Sequence, residues 1–262
     1  MATIITLTNQ KGGVGKTTTS SALAAGLASF YDKKVLAIDL DPQGNLGFSL
    51  GLDIENDRTI YDVMTGKTTM QKAIQPTDYC DVVTSNILLS SAELEFTSAG
   101  RELILKRALT PVLANYDYVV IDTPPALNIL TVNAYAVADH LIIPMAPEIL
   151  SLLGVTQLKE TVDSVRQSLN PHLNVLGIIL TKFNRRTLLA REVKEMAENI
   201  AVQMGTRVFN TQVRASVSVA EAPAHGISIF DHSPRSNPSQ DYKDFIQEVL
   251  EIISDKAVQE VR

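Results

Sequence analysis

Cysteine is nearly absent from this chain, which has Cys80 alone among its 262 residues. A single thiol excludes a disulfide framework and any thiolate metal site built from this chain alone. No apolar run reaches 18 residues, so the sequence predicts no membrane-spanning helix. A charged-then-apolar signal segment is also missing, because strand-like sequence begins at Thr3. We therefore expect a cytoplasmic protein.

An excess of positive charge is also lacking, since the formal net charge is −6. This balance argues against a chain that binds nucleic acid or anionic lipid through its total charge, although a local basic patch is compatible with it. Hydrophobic residues make up 45% of the sequence, enough for a sizeable core. No repeat or Pro/Gly/Ser-rich linker divides the chain, which predicts a single domain over residues 1–262.

Short apolar runs rich in β-branched residues alternate with longer segments of helical period. The runs predict strands within residues 3–8, 34–41, 80–85, 116–125, 140–145 and 174–181. Helices are predicted over Thr17–Tyr31, Ala92–Asn115, Leu152–Leu169, Leu188–Met204 and Asp241–Asp255. This order predicts an α/β fold, with a mostly parallel twisted sheet covered by helices on both faces.

The stretch NQKGGVGKTT (9–18) lies between the first predicted strand and the first predicted helix. A glycine-rich loop in that position is typical of phosphate binding, because its N–H groups and the helix N-terminus face one anion. Lys16 is predicted to reach the β- and γ-phosphates, and the Thr17 hydroxyl to ligate Mg²⁺. The predicted nucleotide-binding residues are Lys11, Gly12, Gly13, Val14, Gly15, Lys16, Thr17 and Thr18.

Acidic residues stand at the ends of two predicted strands. Asp39 and Asp41, in AIDLDPQGN, are two apart and share a face that can look toward the loop. Asp122 ends YVVID, the usual position of the Mg²⁺-side carboxylate in a phosphate-loop enzyme. Ligands of open α/β sheets bind at the carboxyl ends of the strands. The sequence therefore predicts a Mg²⁺ site near Thr17 and Asp122, with Asp39 and Asp41 both able to lie beside it.

The loop departs from the usual pattern, which has a glycine at position 10; here Gln10 is followed by a second lysine, Lys11. With KGGVGKTT, DLDPQGN and VVIDTPPA in this order, the chain resembles the deviant Walker A P-loop NTPases of the MinD/ParA superfamily. The segments EAPAHG (221–226) and DYKDFIQEV (241–249) extend the resemblance to the ParA/Soj partition ATPases over nearly the whole chain.

The resemblance implies particular roles for several residues, with ATP and Mg²⁺ as ligands and with Thr17, Asp39 and Asp122 at the metal. Lys11 is expected to cross the interface of an ATP-bound homodimer and touch the phosphates held by the other subunit. Asp41 is expected to orient or deprotonate the attacking water, which makes Lys11, Lys16 and Asp41 the predicted catalytic residues. A weak intrinsic ATPase, stimulated by a ParB-type centromere-binding partner, is also implied. Only Met1 and Ala2 precede the first strand, so we expect no N-terminal helix-turn-helix domain.

A local basic segment runs from 182 to 214. It holds seven basic and three acidic residues, a net +4 that leaves −10 for the rest of the chain. The resemblance implies that the arginine at position 186 helps bind double-stranded DNA without sequence preference, and Arg185 and Arg214 are predicted beside it. Dimerisation by ATP would double this patch and place the protein on the nucleoid. The alternative is an ordinary solvated basic face.

Two other functions use the same loop. A MinD-like membrane ATPase that positions cellular structures would end in a basic amphipathic helix. The tail DYKDFIQEVLEIISDKAVQEVR instead carries a mostly acidic polar face, so no membrane partner is expected. An ATP-dependent ligase or small-molecule kinase would bind ATP but not DNA. The adenine of the nucleotide is expected near the loops after Thr181 and around Arg207–Arg214.

Overall fold

The computed structural model describes residues 2–52 and 58–260, in which eight strands form one sheet. The strands are β1 (Thr3–Leu7), β2 (Val35–Asp39), β3 (Gln75–Pro76), β4 (Asp81–Val83), β5 (Tyr118–Asp122), β6 (His140–Met145), β7 (Asn174–Phe183) and β8 (Val208–Arg214). Their order is β3-β4-β2-β5-β1-β6-β7-β8, and every neighbouring pair is parallel except β3 with β4. The predicted mostly parallel sheet is confirmed.

Twelve helices are found in the described part of the chain. They are α1 (Lys16–Tyr31), α2 (Asn45–Ser49), α3 (Ile60–Met64), α4 (Met70–Ala73), α5 (Ala92–Glu95), α6 (Ile104–Leu109), α7 (Ile129–Val137), α8 (Ile149–Ser168), α9 (Leu188–Gln203), α10 (Val217–Ala224), α11 (Ile229–His232) and α12 (Asn237–Glu260). Within the described ranges, none of them combines the length and the hydrophobicity needed to cross a bilayer.

Two hydrophobic cores cover the two faces of the sheet. Because side chains alternate along a strand, Ile4 enters one core while Ile5 and Leu7 enter the other. Residues of α7, α8 and α9 pack in the first core, and residues of α1 and α12 in the second. Both faces are thus buried, which explains the near-continuous apolar sequence of the central strands.

One predicted helix, Ala92–Asn115, is wrong. The structure has two short helices there, α5 and α6, with 3-10 turns at Arg101–Leu103 and Leu113–Asn115. Gly100 adopts a left-handed conformation with φ of 76°, which an α-helix cannot continue through. Pro111, which has no N–H to donate, follows α6. The apolar periodicity of the segment therefore reflects several short elements packed on one core.

The sequence patterns missed both edge strands, β3 and β8, and β8 was missed because VFNTQVR mixes apolar and polar residues. Two carboxylates of α12 cover this strand. Glu248 accepts hydrogen bonds from the N–H groups of Asn210 (2.7 Å) and Thr211 (3.0 Å). Asp241, seven residues earlier, accepts from the N–H of Arg214 at 2.9 Å. Part of the acidic face of the C-terminal helix therefore protects a sheet edge, which would otherwise expose unpaired backbone groups.

Candidate nucleotide site

The loop between β1 and α1 lies at the carboxyl edge of the sheet. Gly13 and Gly15 have φ values of 74° and 86°, a region that side-chain-bearing residues rarely adopt. The Asn9 side chain ties the start of the loop to β6 by donating to the Pro144 carbonyl at 2.8 Å. Thr181 ties its middle to β7 by donating to the Val14 carbonyl at 2.7 Å. The loop is thus held in shape from two neighbouring strands.

Lys16 is buried at the start of α1, with only 6% of its surface exposed. Its ammonium donates to the Lys11 carbonyl at 3.1 Å, so it folds back over the loop. Burial lowers the pKa of Lys16, and the charges of Asp122 and Asp41 partly offset this. A buried cation beside a glycine-rich loop and a helix N-terminus is an arrangement that attracts an anion such as a phosphate group.

A cavity of about 690 Å³ opens above the loop. From the predicted set it is lined by Gly12, Gly13, Gly15, Lys16, Thr17, Thr18 and Asp41. It extends past Thr181 and Lys182 to the segment Val213–Val217 and Tyr242. The adenine was expected near this region, but Arg207 lies at the opposite end of β8, next to Val175 and Leu176. The volume is in the range of small-molecule sites.

The sequence predicted the adenine near Thr181 and Arg214, but it did not predict that Ser216 and Tyr242 also line the far end of this cavity. Lys182 has one detectable peculiarity, a φ of 50°, which is uncommon for a residue with a side chain. Tyr242 is fully buried on α12, and Ser216 precedes α10. These residues come from β7, β8 and α12, so only the folding of the second half of the chain brings them to the loop.

Asp39 and Asp122 end neighbouring strands and are paired across β2 and β5 in the sheet register. Both side chains are fully buried. Burial, and next the carboxylate of Asp122, raise the pKa of Asp39 well above its usual range. Burial raises the pKa of Asp122 to about 6, although the nearby hydroxyls of Thr17 and Ser20 and the charge of Lys16 lower it. Two carboxylates are therefore held close together in a low-dielectric site.

These two carboxylates differ in their hydrogen bonds. Asp122 accepts from Ser20 Oγ at 3.0 Å through one oxygen, and its buried Oδ2 has no partner among the described residues. Asp39 accepts from the N–H groups of Asp41 and Leu46, each at 2.9 Å. Asp39 therefore positions the loop that carries Asp41, a task that the sequence patterns did not predict.

The residues present fit a magnesium ion. The unpartnered Asp122 Oδ2 and the second buried carboxylate beside it offer the hard oxygen donors that Mg²⁺ prefers. A divalent cation near them would relieve both the burial of charge and the mutual repulsion. Among the described residues, no cluster of three or more His, Cys, Asp or Glu forms a complete protein-only site. Mg²⁺ commonly keeps several waters and takes phosphate oxygens as further ligands.

Asp41 lies just beyond the end of β2 and lines the cavity, with 9% of its surface exposed. The prediction that Asp39 and Asp41 share one strand face is wrong, because the strand ends at Asp39. Asp41 instead belongs to a turn in which its carboxylate accepts from the Gln43 N–H at 3.1 Å. The turn leaves Asp41 in the cavity and Asp39 beneath it.

Lys11 does not line the cavity of its own loop. Its ammonium forms an ion pair with Glu148, just after β6, and this pair is partly exposed. Hydrogen bonding from Lys11 and, less strongly, the charge of Lys182 lower the pKa of Glu148. The side chain of Lys11 therefore contacts Glu148 and does not line the cavity that Lys16 lines.

The predicted DNA-binding arginines have different surroundings. Arg185 and Arg186 are exposed in the turn between β7 and α9, and Arg185 donates to Gln212 at 3.0 Å. Arg186 has no side-chain hydrogen bond or ion pair within the described ranges. Arg214 instead forms a two-pronged ion pair with Asp241, with distances of 2.6 and 2.9 Å. A charge already paired in this way is less available to a nucleic acid.

Comparison with known proteins agrees with this geometry. A family model described as an AAA domain matches residues 2–175. The sporulation initiation inhibitor protein Soj of Bacillus subtilis is 40% identical over 253 residues, which cover 95% of this chain and 98% of that protein. The chromosome partitioning protein ParA of Myxococcus xanthus is 41% identical over 243 residues, 91% of this chain and 84% of that protein.

A solved structure is similar over the whole fold. Cobyrinic acid a,c-diamide synthase from Mycobacterium smegmatis, with bound ADP and magnesium, superposes with a TM-score of 0.83 at 33% identity. The match covers 95% of this chain and 94% of that one. These relatives, whose similarity agrees with the glycine-rich loop, the cavity and the buried aspartates, show the family. The chain belongs to the ParA/Soj family of chromosome-partitioning ATPases.

Proposed function

We propose that this chain binds Mg²⁺ and ATP and hydrolyses ATP to ADP and phosphate to drive DNA partition. The observation that carries the proposal is the meeting of three features at one sheet edge: the glycine-rich loop, buried Lys16, and Asp122 with its unpartnered oxygen. Thr17, Asp39 and Asp122 would hold Mg²⁺, which would neutralise charge on the phosphates when bound.

The chain's own residues would position the reactants. Lys16 and the loop N–H groups hold the phosphates and stabilise the charge that develops on the leaving oxygen. Asp41, in the cavity above the loop, orients a water toward the γ-phosphorus and accepts its proton. Asp39 keeps Asp41 in place through the N–H of Asp41. Thr181 keeps the loop in place through the Val14 carbonyl.

ATP would also join two subunits. The Lys11 side chain pairs with Glu148 and does not line its own cavity, which favours a target on another subunit over its own phosphates. Two nucleotides face to face would carry a large negative charge, and a lysine from each subunit would offset it. Hydrolysis removes that charge and with it the reason for dimerisation.

Glu148 would then compete with the nucleotide of the other subunit for Lys11. We expect Glu148→Gln to favour the ATP dimer, because Lys11 no longer has to leave an ion pair. An exposed pair contributes about 0.2–1 kcal/mol, and two pairs break per dimer, so the dissociation constant should fall by about 2- to 30-fold. Analytical ultracentrifugation with ATP and Mg²⁺ measures this constant.

Glu160→Gln is the matched control, since Glu160 is an exposed glutamate on α8 whose replacement should leave the dimer unchanged. Weaker dimerisation of Glu148→Gln would contradict the competition, because it would place Glu148 in the interface as a stabilising residue. An unchanged constant would show that the ion pair does not restrain Lys11.

DNA binding would depend on this dimer. The exposed turn at Arg185 and Arg186 precedes α9, where a backbone phosphate can meet both a guanidinium and helix N–H groups. Each subunit contributes one copy of this turn, so the dimer binds more phosphates and its affinity falls more steeply with salt. A ParB-type partner would stimulate hydrolysis and so release the DNA.

The test is binding of a random-sequence duplex without nucleotide, with ADP, and with ATP and Mg²⁺, at low and moderate salt. We expect tight, salt-sensitive binding with ATP alone. Arg186→Ala should weaken it at least about tenfold and lower the salt slope, because each subunit then binds fewer phosphates. Arg207→Ala, at the amino end of β8 and away from the exposed turn, is the control. ATP-dependent dimers that do not bind DNA would contradict the proposal and favour an ATP-dependent ligase or small-molecule kinase; the Mycobacterium smegmatis neighbour is named a synthase.

A MinD-like membrane function is less well supported. The C-terminal helix α12 uses Asp241 and Glu248 to hold β8, and it buries Phe245 and Ile246 in the core. A helix engaged in this way has little apolar surface left in its described part for a lipid bilayer. Sedimentation with anionic vesicles, run beside the DNA assay, separates the two functions.

A further inference from the structure

A second cavity, of about 710 Å³, adjoins the nucleotide cavity. It lies where the end of β7, the turn from β8 into α10 and the turn into α12 come together. Its lining residues are Phe183, Asn184, Arg186, Arg214, Ala215, Ser216, Arg235, Ser236, Asn237 and Pro238. Three of these are arginines, and none of the lining residues is acidic. The cavity therefore has the lining of an anion site.

Two of the arginines have their charge available. Arg186 and Arg235 are exposed and form no ion pair within the described ranges. Arg214 is held by Asp241 and by the Asn237 carbonyl, the latter at 3.3 Å, so it is a fixed part of the wall. A guanidinium presents parallel N–H donors that match two phosphate oxygens. Two arginines without an ion-pair partner are therefore well suited to bind a phosphate group.

Two helices that begin at the cavity add to its positive electrostatic potential. The 24-residue helix α12 begins at Asn237, which lines the cavity, so its positive end faces the space. Ser216 is the residue before α10, and its side chain does not cap that helix. Its hydroxyl instead lies 2.8 Å from that of Ser218. Both helix starts thus add positive potential to the arginine side chains.

We propose that this cavity is a phosphodiester site in which Arg235, with Arg186, holds a backbone phosphate of duplex DNA. The inference rests on the proposed DNA-partition function and adds a DNA-binding residue from a different part of the chain. The neighbouring surface favours a polymer over a single small phosphate. Beyond Arg186, a second groove along α9 is lined by Arg185, Arg191 and Lys194 and also by Glu195 and Glu198, the latter paired with Lys194. Arg185 and Arg191 therefore extend the positive surface in this direction.

The position of the cavity also couples it to the nucleotide. Arg214, Ala215 and Ser216 line both cavities, so one short segment of backbone forms the wall between them. A ligand that shifts this segment on one side changes the other side. If ATP strengthens DNA binding through this wall, DNA must strengthen ATP binding by the same factor, because equilibrium coupling is reciprocal.

The experiment measures fluorescence anisotropy of a labelled random-sequence duplex with a non-hydrolysable ATP analogue and Mg²⁺, over a series of salt concentrations. Wild type is compared with Arg235→Ala, Arg235→Lys and Arg207→Ala. Arg207 is an exposed arginine at the amino end of β8, so its removal changes the net charge equally without touching the cavity. Thermal unfolding and ATP binding are recorded for each variant to show that it folds.

We expect Arg235→Ala to raise the dissociation constant about tenfold or more and to lower the salt slope by about one for each phosphate that is no longer bound. Arg235→Lys should recover part of the affinity, and Arg207→Ala should match wild type. Equal affinity and slope for Arg235→Ala and Arg207→Ala, with wild type binding DNA, would overturn the site. Absence of DNA binding by wild type would instead contradict the proposed function itself.

A second arm distinguishes DNA from a small phosphate. Inorganic phosphate is titrated calorimetrically into wild type and Arg235→Ala at constant ionic strength, with the nucleotide cavity filled by the analogue. Weak or undetectable binding, beside Arg235-dependent duplex binding, supports a polymer site. Tight, Arg235-dependent phosphate binding with duplex affinity unaffected by Arg235→Ala would overturn the DNA assignment.

Discussion

Asp41→Ala is expected to lower the rate of ATP hydrolysis by about 100-fold or more while ATP binding and ATP-dependent dimerisation persist. A positioned general base contributes about 10²- to 10⁴-fold to proton transfer, and Asp41 is the carboxylate that reaches the cavity. Asp39 and Asp122 lie beneath the cavity surface and remain in place to support Mg²⁺. Steady-state phosphate release, with dimer fraction measured in parallel, is the assay.

Asp41→Asn is the matched variant. Its amide oxygen can still accept from the Gln43 N–H, which the wild-type carboxylate does at 3.1 Å, so the turn keeps its shape. If the charge of Asp41 orients and deprotonates water, both variants lose hydrolysis. Full activity of Asp41→Asn would assign Asp41 a structural role in the turn, and normal turnover of Asp41→Ala would remove it from the mechanism altogether.

Alanine substitutions of the two loop lysines are expected to impair different steps. Lys16→Ala should lose ATP binding, because Lys16 is buried beside the loop and two carboxylates. Lys11→Ala should still bind ATP as a monomer but lose the dimer, since Lys11 is directed out of its own cavity. Removal of one partner from a buried charge pair costs about 2–5 kcal/mol. That is about 30- to 5000-fold in ATP affinity for Lys16 and at least as much in dimer affinity for the two Lys11 side chains of a dimer.

Nucleotide binding by calorimetry and dimerisation by ultracentrifugation separate the two lysines. Lys33→Ala, an exposed lysine after α1, removes the same charge and should change neither quantity. A Lys11→Ala protein that dimerises normally with ATP would refute the role across the interface. Loss of ATP binding in Lys11→Ala would place that lysine on its own nucleotide instead.

Local patterns in the sequence were enough to predict much of the fold and the site residues that lie in the first half of the chain. The loop residues, Asp41 and Asp122 could be recognised because each stands in a contiguous motif at the end of an apolar strand. Strand β8 could not, since its polar residues fit an edge that α12 covers. Asp39 was predicted from sequence to lie at the metal, but its hydrogen bonds to Asp41 and Leu46 became visible only in the structure.

The chain order of strand, loop, helix and acidic strand ends was therefore enough to predict a phosphate-loop ATPase, and the ParA/Soj assignment rested on the resemblance that EAPAHG (221–226) and DYKDFIQEV (241–249) extend. That information is local, because periodicity and short motifs depend on residues a few positions apart. The partners of Lys11 and Arg214 and the cavity at Arg235 required tertiary structure. Lys11 and Glu148 are 137 residues apart, and Arg214 and Asp241 are 27 apart. No pattern in one sequence encodes which distant charges meet, since that depends on how the strands are ordered in the sheet.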